Sequence, residues 1–255
     1  MKYIVTTSLR MNIHLVEQAR ELSRELGIEY VERKKRSIAT FLKSVDAVLV
    51  VYQSKLILEQ RGSNPFFFHP DTALLRIKSG GQDPLLELLG LAPKQILDCT
   101  MGLASDSIVM ASAGHHVTAI ESSEIIYCLV SNGLKNFDSG NKTVNQAMRS
   151  IRTKCTGSLS FLKEQTPQSF DVIYFDPMFS ENIPESQNLS GLSTMANYSR
   201  LTLDLFHEAK RVAKEKIIIK AHFRDPIFEE LGIKRHLRPN QKFHYGEYLL
   251  GEKNE

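Results

Sequence analysis

Four residues, Asp176-Pro177-Met178-Phe179, close the apolar run Phe170-Asp171-Val172-Ile173-Tyr174-Phe175. A buried strand with that ending delivers a carboxylate, a carbonyl stiffened by the fixed φ of Pro177, and a flat ring to one edge of a sheet. Such a set suits the grip of a planar base by its exocyclic amine, with Asp176 and the Pro177 carbonyl accepting the amine protons. Phe179 would stack on the ring. The bland alternative is a strand followed by a turn, because Asp-Pro is common in turns. Two further acidic residues argue for the sharper reading. Asp98 opens the loop Asp98-Cys99-Thr100-Met101-Gly102-Leu103-Ala104-Ser105-Asp106 after one strand-like run, and Glu121 ends the next.

In open α/β sheets ligands bind beyond the carboxyl ends of the strands. Gly102 lets the backbone approach a ligand, and the helix that follows offers unpaired amides. A pyrophosphate site would want GxGxxG. Ala104 occupies the second glycine position, and Asp106 would repel a phosphate. A ligand with a cationic end fits better, and Glu121 can accept the hydroxyls of a ribose. Asp98, Thr100, Gly102, Asp106 and Glu121 therefore favour S-adenosylmethionine (SAM) over NAD.

The elements that must position these groups are legible as periodicity. Tyr3-Ile4-Val5 reads as a strand. A helix follows from about Asn12 to Leu26, with Leu15, Ala19, Leu22 and Leu26 on one face and Gly27 as its stop. Ile28–Val31 and Asp46–Tyr52 read as strands, with a helix opened by Ser37 between them. From Gln95 strands alternate with helices: strands at Gln95–Cys99, Val117–Glu121, Asp171–Phe175 and Lys216–Lys220, and helices at about Asp106–Ala113, Ser123–Asn136, Ser158–Glu164 and Tyr198–Lys214. That alternation predicts a mostly parallel sheet covered on both faces. Thr143–Met148 fits either a strand or a helix. Lys234–Leu237 and Phe243–Leu250 predict an antiparallel C-terminal hairpin. The expected division is a small N-terminal α/β region at 1–62, a connector and approach segment at 63–94, and the main domain at 95–255.

The chain of 255 residues, 42% apolar and 24% charged, is long enough for one large core or two smaller ones. Its net charge of +3 does not by itself identify a nucleic-acid binder. The excess lies early: residues 1–95 hold 14 Lys/Arg against 10 Asp/Glu. Arg33-Lys34-Lys35-Arg36 reads equally as a solvated face or an RNA-facing patch. Cys99, Cys128 and Cys155 lack metal-ligand spacing, so no metal is expected and free thiols in a reducing cytoplasm are. The longest apolar run, Ala47 to Tyr52, is too short to span a bilayer.

Four segments resemble the Rossmann-like class I SAM-dependent methyltransferases, and within them the RsmJ/YhiQ-type family, which methylates a guanine exocyclic amine in small-subunit rRNA. The loop from Asp98 to Asp106 is similar to that family's D-A-T-A-G-L-G-R-D loop, with Ala104 for the second glycine and Ser105 for the arginine. Ile120-Glu121-Ser122 resembles its ribose-binding strand end, and Gly157-Ser158-Leu159 its third cofactor segment. Asp176-Pro177-Met178-Phe179 matches its D-P-M-F motif. Upstream, the segment from Leu75 to Gly90 is similar to the family's approach segment, and Ile217-Ile218-Ile219-Lys220 to its late strand ending in lysine. The match covers roughly residues 65–225. The resemblance implies that Ser105, Asp106, Glu121, Ser122, Gly157, Ser158 and Asp176 bind SAM, and that the partner is RNA, either small-subunit rRNA or the ribosomal subunit. For substrate phosphates the candidate cations are Arg76, Lys78, Lys220 and Arg224. A flexible lid or a plain loop is expected over Ser180–Asn197. An adenine amine, a protein glutamine or a small metabolite remain alternative acceptors, and a non-catalytic RNA-binding role the alternative outside enzymes.

Overall fold

The computed structural model describes residues 1–10, 12–80, 83–177 and 201–251. Met178, Phe179 and the expected lid lie outside them. The chain packs as two units, one of residues 1–69 with 124–138, the other of 70–123, 139–177 and 201–251. The segment 63–94 is thus shared between them, and a helix from the 95–255 stretch joins the N-terminal unit.

In the first unit β1 (Tyr3–Thr7), β2 (Glu29–Tyr30), β3 (Ala47–Val51) and β4 (Leu56–Gln60) form a sheet in the order β2-β1-β3-β4. The first three run parallel, and β4 is antiparallel to β3. Helix α1 (Ile13–Leu26) is capped by Asn12, whose side chain accepts from the Leu15 amide at 2.9 Å, and stopped by left-handed Gly27. It buries Leu15, Ala19 and Leu22, the stripe read from the sequence. Ser37 caps the short α2 (Ile38–Phe41). Helix α6 (Glu124–Asn136) packs against β4. Gly133 is required there, because a Cβ would sit 2.1 Å from the Phe68 ring. Phe66 and Phe68 are core residues.

The second unit opens with α3 (Asp71–Lys78) and α4 (Pro84–Leu89). It continues through β5 (Gln95–Asp98), α5 (Ser105–Ser112), β6 (His116–Glu121), α7 (Lys142–Ser150), β7 (Arg152–Cys155), α8 (Ser158–Glu164) and β8 (Phe170–Phe175). It ends with α9 (Leu203–Val212), β9 (Ala213–His222), α10 (Ile227–Glu230), β10 (Lys234–His236) and β11 (Phe243–Leu249). The seven strands lie in the order β10-β11-β9-β8-β5-β6-β7. Strands β5 to β9 are parallel, and β11 runs antiparallel to β9 and β10, as the C-terminal hairpin requires. The strand order reverses at β5, whose neighbours β6 and β8 leave on opposite sides, so the switch point lies at the ends of β5 and β8. Val172 to Phe175 are buried, which fixes the end of β8 firmly in the sheet. Among the described residues no helix is long and apolar enough to cross a membrane.

Candidate active site

The carboxyl ends of β5, β6 and β8 bring Asp98, Glu121 and Asp176 to one edge of the second sheet. The loop after β5 turns through Gly102 (φ 47°) and Ala104 (φ 60°) into α5. Ala104 is therefore not a simple added methyl. An alanine in the left-handed region costs roughly 1–2 kcal/mol, which the resembled family's glycine would avoid.

Asp98 is 1% exposed. Its Oδ2 accepts from Ser107 Oγ at 2.5 Å, and its Oδ1 from the Thr100 amide at 2.9 Å. Burial pushes its pKa up to about 7; the Ser107 and Thr100 hydrogen bonds oppose that rise. Thr100 Oγ1 accepts from the Asp176 backbone amide at 2.7 Å, so one hydroxyl links the ends of β5 and β8. Glu121 is oriented by two amides: Ser123 N donates to Oε1 at 2.8 Å and Gly102 N to Oε2 at 3.2 Å. Each oxygen keeps a lone pair for a further donor. Ser158 Oγ donates to the Cys99 carbonyl at 2.7 Å and ties the start of α8 to the same loop. Beside it, Gly157 has φ −75° and open space where a Cβ would stand. Neither backbone nor packing demands glycine there.

Behind the loop runs a chain of ion pairs. Arg76 from α3 grips Asp83 through two bonds, at 2.8 and 3.1 Å, and also binds Asp106. Asp106 accepts from Tyr174 Oη at 2.8 Å and from Lys220 Nζ at 3.0 Å. Lys220 reaches on to Asp176 Oδ2 at 2.7 Å. Burial would raise the Asp106 pKa, but Lys220 and Arg76 outweigh it and hold the carboxyl well below its usual range. Burial dominates at Asp176 and lifts it to about 6, against the pull of Lys220.

Two of the cations expected at substrate phosphates, Arg76 and Lys220, are engaged within the protein. Arg76 and Lys220 are only 22% and 21% exposed, and each is shared between two carboxylates. They hold the carboxylates of Asp83, Asp106 and Asp176 in place. Lys78 and Arg224 do face solvent. Asp106 is likewise committed to three protein donors. Ser105 and exposed Ser122 stand at the start of α5 and just beyond Glu121. Asp83 and Tyr174 were missed by sequence reasoning. Asp83 had a signal as the residue before a helix-opening proline, and its side chain caps α4 as well as holding Arg76. Tyr174 had none, being one aromatic among several on a core strand.

The donor set tests what this edge can hold. Asp83, Asp106 and Asp176 outnumber Arg76 and Lys220, and Glu121 adds another acceptor. Anionic phosphate is disfavoured here, whereas a cationic centre beside a ribose diol is matched. Residues 38–242 match the family model described as "Putative SAM-dependent methyltransferase".

The chain belongs to this SAM-dependent methyltransferase family.

Its cofactor is SAM, and its fold is the Rossmann-like one of these enzymes. Among relatives, an uncharacterized protein of Bacillus subtilis, YpiP, is 36% identical over 95% of this chain and 98% of its own length. Ribosomal RNA small subunit methyltransferase J of Marinobacter nauticus is 37% identical over 34% of this chain and 31% of its own length. The protein of the same name from Neisseria meningitidis is 28% identical over 57% and 60%. This chain thus spans less than two thirds of the methyltransferase J relatives it matches. A SAM-dependent methyltransferase structure from Neisseria gonorrhoeae superposes with a TM-score of 0.64 at 18% identity, covering 98% of this chain and 97% of that one.

Proposed function

We propose that this methyltransferase transfers the SAM methyl group to the exocyclic amine of a guanine in small-subunit ribosomal RNA. The observation that carries the reading is Asp176, held at the end of β8 by Lys220 through Oδ2 and by Thr100 through its amide, directly before Pro177. The relatives named as small-subunit rRNA methyltransferases add to it.

The cofactor supplies an electrophilic methyl on a sulfonium. The work of this chain is to present a nitrogen in line with it. With Oδ2 engaged by Lys220, Asp176 would receive one amine proton at Oδ1, and the Pro177 carbonyl would receive the other. Both bonds turn the amine so that its lone pair is less delocalised into the ring. On transfer the N–C bond forms, the C–S bond breaks, and the nitrogen carries one proton too many. Asp176 Oδ1 would take it, and a carboxylate near pKa 6 is ionised for that task at neutral pH. Glu121 would accept the ribose hydroxyls. Phe179 would stack on the base, an interaction worth about 1–3 kcal/mol. A base inside a duplex must first be extruded, which favours single-stranded or loop RNA.

The test is transfer of labelled methyl from SAM to small-subunit rRNA isolated from a deletion strain, followed by nucleoside analysis. Label in N2-methylguanosine is expected. Label confined to adenosine, to protein or to small metabolites would overturn the assignment.

A further inference from the structure

Beyond Lys220, β9 continues to His222 and then turns through Phe223-Arg224-Asp225. Because β9 runs parallel to its neighbour β8, this turn follows the same carboxyl edge as Asp176. Phe223 stands three positions beyond Lys220, roughly 10 Å along the strand.

Phe223 is 37% exposed, although a phenylalanine gains by burial. It is held there by its backbone: its amide donates to the Lys242 carbonyl at 2.9 Å, and its carbonyl accepts from Arg235 Nη2 at 2.6 Å. The Arg224 guanidinium lies 5.0 Å from the ring centroid, and the His222 and His244 rings lie at 4.6 and 6.3 Å. His244 Nδ1 accepts from Arg235 Nε at 3.0 Å, so its Nε2 carries the proton and donates to the Arg238 carbonyl at 3.2 Å. Burial and the neighbouring Arg235 both lower the His244 pKa, which keeps that tautomer neutral. Two nearby acids have partners of their own. Asp225 accepts from the Ile227 amide at 3.0 Å, and Glu229 pairs with Arg235 at 3.7 Å.

A ring kept at the surface by a fixed backbone, with an arginine over one face, offers two things together. Its π-face stacks a planar base, and the cation meets the phosphate attached to it. A lone solubilising turn needs no aromatic, and a core residue needs no exposure. We infer that Phe223 and Arg224 form a stacking platform for an unpaired base of the RNA substrate, flanking the nucleotide presented to Asp176. The inference rests on the proposed RNA reading and adds a second contact to it.

The experiment measures binding of the full chain to a fluorescein-labelled single-stranded RNA of mixed sequence by anisotropy across a salt series, with SAM affinity followed by calorimetry. Phe223→Ala is expected to weaken RNA binding about tenfold, while Phe223→Trp keeps wild-type affinity or better. Arg224→Gln is expected to make the slope of log affinity against log salt shallower by about 0.7. SAM affinity stays at the wild-type value in all three. Unchanged RNA affinity in Phe223→Ala, loss of affinity in Phe223→Trp, or equal binding of polyglutamate would overturn the platform. Phe223-dependent RNA binding by a chain that methylates no RNA would support the platform and sink the proposed function instead.

Discussion

The molecule contains two sheets with parallel strands, and both reverse their strand order, at β1 in one and β5 in the other. Their carboxyl edges nonetheless carry different chemistry. In the second unit the strands end in Asp98, Glu121 and Asp176, each satisfied by hydrogen bonds from elsewhere in its own unit. In the N-terminal unit β1 ends in Thr6 and Thr7, whose buried hydroxyls have no hydrogen-bond partner among the described residues. There the buried guanidinium of Arg33 closes the edge, donating to the Thr7 carbonyl at 3.1 Å and to the Arg36 carbonyl at 2.7 Å. A switch point supplies a place for a ligand. The residues at the strand ends set its chemistry, and here a guanidinium closes one edge and acids line the other.

That contrast can be broken most directly at Asp176. Asp176→Ala is expected to lower kcat by about 10³-fold, in the range of a lost general base, with the fold retained by circular dichroism. In the wild-type enzyme kcat/KM should rise with pH through about 6, because the ionised carboxylate is the form that accepts the amine. Full activity in the variant would remove its role.

Lys220→Met comes next. It leaves Asp106 and Asp176 without their shared cation and should destabilise the chain by about 3 kcal/mol, read by urea unfolding. Since Lys220 lowers the Asp176 pKa, its loss should also move the acid limb of kcat/KM above 6. An unmoved limb would show that Asp176 does not set it. Glu121→Ala should weaken SAM binding about tenfold by calorimetry, the scale of a hydrogen bond to a charged group.

The smallest effects give the sharpest comparison, because one substitution is made at both edges. Thr100→Val removes a hydroxyl that links Asp98 to the Asp176 amide and should cost about 1–2 kcal/mol. Thr7→Val removes a buried hydroxyl that has no partner among the described residues and should stabilise by about 1 kcal/mol. Thermal shifts of the same sign in both variants would collapse the distinction drawn between the two edges.

The sequence made some of this legible and hid the rest for physical reasons. The stripe of Leu15, Ala19 and Leu22 and its Asn and Gly caps announced α1, and acids ending apolar runs announced the ligand edge. Strand β7, Arg152-Thr153-Lys154-Cys155, is a mostly exposed edge strand without alternation, so pairing alone reveals it. The turn before β4 passes through Gln53-Ser54, which lack the Gly or Asn of a common hairpin. Helix α3 follows Pro70, which offers no side-chain cap, and was hidden in an apparent connector. Within the site, carboxylates were identifiable but their partners were not. Arg76 meets Asp106 across 30 positions and Lys220 meets it across 114, distances over which spacing carries no information. Cations that looked ready for phosphate were already engaged.

The ion-pair chain draws on Arg76, Asp83, Asp106, Asp176 and Lys220, contributed by widely separated stretches of the polypeptide. During synthesis, the cofactor loop emerges more than a hundred residues before the lysine that completes it. A chain that stops short of residue 220 therefore lacks the cation that Asp106 and Asp176 share.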